Sequence, residues 1–141
     1  MGAILCKTQR TDMKNNFAPL FFAGITMAFT AYCQTPGFSR TPLQTQDLSV
    51  PNKVVVQARA EFDPGVAAGR HTHPGEEMGY ILEGQLELKI DGQPPRIVKT
   101  GEVFFVPAGL VHDGINNSTG KTKVLATYVV EKGKPVASPA P

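Results

Sequence analysis

The stretch Gly65-Val-Ala-Ala-Gly-Arg-His71-Thr-His73-Pro-Gly-Glu-Glu77, continuing through Met78 to Gly84, decides how this chain is to be read. It has the form G-x5-H-x-H-x3-E-x6-G. Residues two apart on a strand point to one face, so His71 and His73 project together, here read as inward. Glu77 follows across the short Pro74-Gly75 turn, which folds the chain back and brings a carboxylate beside the two imidazoles. Glu76 is the competing carboxylate, and the spacing favours Glu77. A second stretch, Gly101-Glu-Val-Phe-Phe-Val-Pro107-Ala-Gly109-Leu-Val-His112-Asp-Gly-Ile-Asn116, reads G-x5-P-x-G-x2-H-x3-N. Its Pro107-Ala-Gly109 turn sets His112 at the start of the next strand. The two stretches use all 3 histidines of the chain.

Three imidazoles and one carboxylate form a borderline donor set that suits a divalent transition metal: Fe, Mn, Co, Ni, Cu or Zn. With four protein ligands, a five- or six-coordinate ion keeps one or two positions for water or substrate, and such a site can do chemistry. With every imidazole committed, none is left as an independent general base. Proton transfer then falls to a metal-activated water, to Glu77 shifting off the metal, or to a nearby Tyr, Asp or Glu. That suits oxygenation of a bound enol or enolate, or a metal-assisted isomerisation. It suits a Ser-His hydrolase poorly.

Around these motifs the pattern is one of strands. Val54, Val56, Ala58, Ala60 and Phe62 alternate with Val55, Gln57, Arg59 and Glu61, the period of a half-buried strand. Asp63-Pro64-Gly65 is a turn. Leu86, Leu88 and Ile90 alternate with Gln85, Glu87 and Lys89 up to Asp91-Gly92, a strong hairpin signal. Ile97-Val98, Val103 to Val106, Val111 to Ile115 and Val124 to Val130 complete the series, with no helical period after residue 50. Many short strands at regular spacing imply an all-β sandwich or barrel. Phe104 and Phe105 read as core rather than as a substrate platform, and Arg59 and Glu61 as a solvated face. Tyr80 and Tyr128 are candidates for the pocket wall whose facing parity alone does not decide.

The 141 residues hold one domain plus flanks. Lys+Arg number 14 against 12 Asp+Glu, and no basic run stands out, so a nucleic-acid partner is not expected. Residues 1–33 read as a signal peptide, with the true start placed at Met13. Lys14 precedes a run of about 15 mostly apolar residues, too short for a membrane span of roughly 20. The mature chain is therefore expected to be periplasmic or secreted and to lack a transmembrane span. A lipidated Cys33 is disfavoured by the bulky Tyr32 before it, and cleavage after Cys33 leaves no cysteine for disulfides. The leader has no twin-arginine pair, so the metal is acquired outside the cytosol, where the affinity order favours Cu and Zn over Fe and Mn. Residues 34–50, polar and broken by prolines, read as a linker or N-terminal arm. Residues 132–141 read as a flexible, frayed tail.

The two patterns resemble the signatures of the cupin superfamily, specifically its small single-domain members. All ten fixed positions are present, with 16 residues between Gly84 and Gly101, and the resemblance covers roughly residues 51–131. It implies a double-stranded β-helix, or jelly-roll barrel, with one metal (Fe, Mn, Ni, Cu or Zn) held inside by His71, His73, Glu77 and His112. It also implies that Gly65, Gly84, Gly101, Gly109 and Pro107 shape turns and that Asn116 supports the second motif. The expectation is a metal-dependent oxidoreductase of the dioxygenase type, or an isomerase, acting on a small molecule with Glu77 as its catalytic carboxylate. The alternative is a non-catalytic module for a small ligand or metal. A third reading, a dimer scaffold with a structural metal, is weaker because structural sites close all positions. A barrel of about 80 residues leaves apolar surface that a homodimer would cover.

Overall fold

Period-two alternation builds the two longest inner strands of the molecule. Along β2 (Lys53–Phe62), Val54, Ala58, Ala60 and Phe62 are buried, and along β9 (Thr122–Glu131) every second residue from Thr122 to Val130 is buried. The computed structural model describes residues 35–141; the expected leader, with Met13 and Cys33, lies outside them. Between these strands run β3 (His71–Thr72), β4 (Gly75–Glu83), β5 (Gln85–Ile90), β6 (Arg96–Lys99), β7 (Val103–Val106) and β8 (His112–Ile115). They are flanked by β1 (Phe38–Asp47) and β10 (Ser138–Pro139). No helix occurs among the described residues, so none there is long and apolar enough to cross a membrane.

Among the described residues, two five-stranded sheets are ordered β1-β2-β9-β4-β7 and β10-β3-β8-β5-β6. Every pairing is antiparallel, and chain neighbours such as β3 and β4 lie in different sheets, the layout of a jelly roll. The all-β jelly-roll expectation is therefore met. Apolar side chains of both sheets meet in a core that includes Phe62, Ile81, Leu86, Leu88, Val98 and Phe104. Gly65, Gly84, Gly101 and Gly109 all have φ between 74° and 85°, the left-handed region in which glycine alone is unstrained. Asn116, wholly buried, ties the second motif to the barrel: its Nδ2 donates to the carbonyls of Phe62, Asp63 and Gly120, and its Oδ1 accepts from Ser118.

Both flanks are more ordered than a free linker and a frayed tail would be. Residues read as a linker or arm form β1, which pairs with β2 from Phe38↔Phe62 to Asp47↔Val54 around a bulge at Pro42. Its Ser, Thr, Gln and Pro residues stay largely exposed, so backbone pairing rather than burial makes it a strand. An edge position tolerates the proline, which has no N–H to give a neighbour. The tail expected to fray is docked: β10 pairs with β3, and the Ala140 amide donates to the Arg70 carbonyl at 3.0 Å.

Candidate metal centre

The short strand β3 ends at Thr72, the chain crosses to the opposite sheet through Pro74, and β4 begins at Gly75. This crossing carries Glu77 over to face the histidines from the other wall of the barrel. His112, the first residue of β8, is paired with His71 across the strands. Ligand atoms of His71, His73, Glu77 and His112 all lie within 4.8 Å of one another. His73, Glu77 and His112 are buried, and His71 is half-buried. The chain thus brings all four expected residues together. Glu76 stays out of the cluster because alternation on β4 turns it to the opposite face.

The backbone sets which nitrogen each ring offers. Nδ1 of His71 lies 2.6 Å from the Gly69 carbonyl, Nδ1 of His73 2.5 Å from that of Val136, and Nδ1 of His112 2.9 Å from that of Leu110. A carbonyl only accepts, so each neutral ring carries its proton on Nδ1 and keeps a lone pair on Nε2. The Nε2 atoms of His112 and His73 turn to Glu77, whose Oε2 is 3.1 Å from the first and 3.2 Å from the second. His73 Nε2 is also buried without a hydrogen-bond donor. The short approach and the missing donor agree once the two atoms are seen as facing acceptors. Acceptors that face each other in a water-poor site call for a cation between them. Bonds of roughly 2.0–2.2 Å to one ion would span most of this cluster, so the residues fit a transition metal.

Electrostatics point the same way. Burial, with the neighbouring His112 ring, lowers the pKa of His71 to about 4, so the ring is neutral and ready to ligate near neutrality. Burial alone would raise the Glu77 carboxyl, but with the His112 and His73 rings protonated and donating to it, their hydrogen bonds and charge outweigh burial and hold it below the usual carboxylate range. With positive charge opposite it, Glu77 is therefore a buried anion.

The docked tail is part of this site, since Val136 supplies the carbonyl that orients His73. Arg70 fastens the same region by donating to both oxygens of Asp91, at 3.0 and 2.9 Å, and to the Pro141 carbonyl at 2.8 Å. Deleting residues 135–141 is predicted to weaken metal affinity by about tenfold to a hundredfold, the usual cost of losing an orienting partner of a ligand. Competition against a chelating indicator measures it, and an unchanged affinity would show that the tail carbonyl does not orient His73.

Other expectations sort by face. Phe104 is core, but Phe105 is half-exposed on the outside. Arg59 and Glu61 form an outer ion pair at 2.6 Å, as a solvated face requires. Tyr128 is buried against His73, with ring centroids 4.7 Å apart, and lines the cavity beside the cluster; Tyr80 faces outward. The sequence reading missed Arg40 of β1, which lines the same cavity. Its only signal was the Phe38/Arg40 alternation, hidden in a polar stretch.

A family model described as a cupin domain matches residues 58–128. Germin-like protein subfamily 2 member 2 of Arabidopsis thaliana is 33% identical over 129 residues, covering 87% of this chain and 57% of that protein. The HTH-type transcriptional regulator PuuR of Escherichia coli (strain K12) is 32% identical over 79 residues, covering 55% of this chain and 42% of the regulator. The chain spans about half the length of these curated relatives. Among solved structures, an oxalate oxidase in complex with the substrate analogue glycolate superposes with a TM-score of 0.60 at 25% identity, over 76% of this chain and 63% of that one. The model match spans half of the sequence and includes all four converging residues, and on that ground the chain belongs to the cupin family.

Proposed function

We propose that the protein is an exported, metal-dependent oxidoreductase of the dioxygenase type acting on a small molecule, its metal held by His71, His73, Glu77 and His112. The observation that carries this reading is the convergence of three imidazole lone pairs and one carboxylate on a shared point beside a cavity. When bound, a transition ion there supplies Lewis acidity and, if redox-active, electron transfer to dioxygen. The three backbone carbonyls hold the imidazoles in their ligating tautomer. Glu77, anionic and with no spare histidine nearby, accepts the proton of an enolic or hydroxylated substrate. Apolar walls from Leu86, Leu88 and Phe104 keep bulk water away, and the half-buried His71 marks the more open side.

The solved oxalate oxidase holding glycolate supports an oxidative reading, because an oxidase and a small hydroxy acid meet on a similar barrel. Export to the periplasm or medium rests on the leader pattern of residues 13–33. A homodimer is supported by the outer apolar face of Met78, Tyr80, Val103 and Phe105, all more than a third exposed.

The second reading, a non-catalytic binding module, is favoured by the narrowness of the cavity, about 30 Å³, and by similarity to a transcriptional regulator. Oxygen uptake separates the two. The protein loaded in turn with Fe, Mn, Ni or Cu is expected to consume oxygen with at least one member of a panel of enols, phenols and short hydroxy acids. Glu77→Gln should lower that rate by about a hundredfold or more, through loss of a metal-holding carboxylate and of a general base together. A loaded site that consumes no oxygen with any of them leaves the binding module.

A further inference from the structure

The cavity beside the cluster has a charge that the metal reading leaves unused. Arg40 and Glu77 are its only formally charged lining residues apart from the histidines. The Arg40 guanidinium carbon sits 5.6 Å from the ring centroid of Phe38 and 5.7 Å from that of Tyr128, a cation held between two aromatic faces. Its Nε is buried and has no hydrogen-bond partner among the described residues. No salt bridge to Arg40 is formed among them either. A guanidinium that lines a cavity and has an unpaired buried donor is stabilised by an acceptor in that cavity, best a planar anion.

Size narrows the occupant. The cavity, about 30 Å³, takes two or three waters, or roughly 60–90 Å³ of liquid volume. That is the bulk of an acid of two or three carbons. With a divalent ion on the ligand cluster, the local charge of metal, Glu77 and Arg40 sums to about +2, which also selects an anion.

From this geometry we infer that Arg40 is a substrate-binding residue, gripping the carboxylate of a short-chain acid whose other end reaches the metal cluster. The inference rests on the metal reading above and adds the substrate class to it. β1 thereby becomes a wall of the site: Arg40 is paired with Ala60 on β2, and the alternation that packs the partly buried Phe38 against the core also puts Arg40 on the cavity side.

The test uses the full chain loaded with cobalt(II), whose visible bands report on ligands at the ion, and takes glycolate as probe with glycolamide as its uncharged counterpart. Cobalt content is measured first, by elemental analysis. Wild-type protein is expected to bind one equivalent of cobalt and to shift its bands on titration with glycolate. Arg40→Gln should keep the cobalt and its melting temperature while binding glycolate about tenfold to a hundredfold more weakly, as the loss of a charge-assisted bond predicts. Arg40→Lys should recover part of that loss, and glycolamide should bind all three proteins alike. Glycolate binding that ignores residue 40, or that fails in cobalt-loaded wild type, overturns the role of Arg40 and leaves the metal site standing. No cobalt in wild type overturns both.

Discussion

Replacing His112 with alanine is expected to lower affinity for a divalent transition metal by at least about a hundredfold. Structural zinc sites with four protein ligands bind with an apparent free energy on the order of 10–16 kcal/mol, so one ligand in four of a comparable site contributes roughly 3 kcal/mol, a factor of about a hundred. His112 is the ligand whose loss should cost most. It is 3% exposed, its Nε2 is 3.1 Å from Glu77, and its strand position is paired with His71. Removing it therefore deprives the buried Glu77 of its neighbour and leaves a gap in the four-residue cluster. Elemental analysis and competitive titration measure the effect. Circular dichroism checks that the barrel persists. One tightly held equivalent of metal in the variant would show that the ion lies elsewhere.

Gly75→Ala is expected to destabilise the barrel more than any other single methyl. A Cβ at residue 75 would stand 1.9 Å from the Val129 carbonyl oxygen and 2.7 Å from the Val130 Cα. Both are backbone atoms of β9, to which Gly75 is paired, so no side-chain rotation relieves the overlap. The start of β4 must lift away from its neighbour, a cost of about 3 kcal/mol or more by comparison with overpacked cores. For a domain of this size that corresponds to a fall in melting temperature on the order of 15 °C. Because Gly75 joins His73 to Glu77, the same displacement should separate the two ligands and weaken metal binding. Gly120→Ala serves as the reference, since nothing lies within 4 Å of its Cβ and its φ is not left-handed. Thermal melts of the two variants that shift equally would show that the close approach at Gly75 is not a constraint.

The ligand set was legible because its logic is local. His71 and His73 share a face by strand periodicity, Glu77 lies one crossing away, and Gly109 and Pro107 form the turn that starts β8 at His112. Buried strands were legible for the same reason, as with Val103–Val106, where alternation of Phe104 inward and Phe105 outward follows from the pleat. That alternation also corrects the reading of Phe105 as core. β1 was not legible, because a strand held at an edge by backbone bonds needs no apolar pattern of its own. The tail was hidden by its prolines, which speak against regular structure but not against docking through the Val136 carbonyl and the Ala140 amide.

By itself, then, the sequence determined the all-β class, the inner strands and the four residues able to hold a metal, since each of these depends on spacings of a few residues. The tertiary structure alone decided which polar segments complete the site. Arg40 enters the cavity only because β1 pairs with β2, and His73 is oriented only because residue 136 returns from 63 positions away. Contacts between segments so far apart are made by closure of the barrel, and no local period along the chain records them.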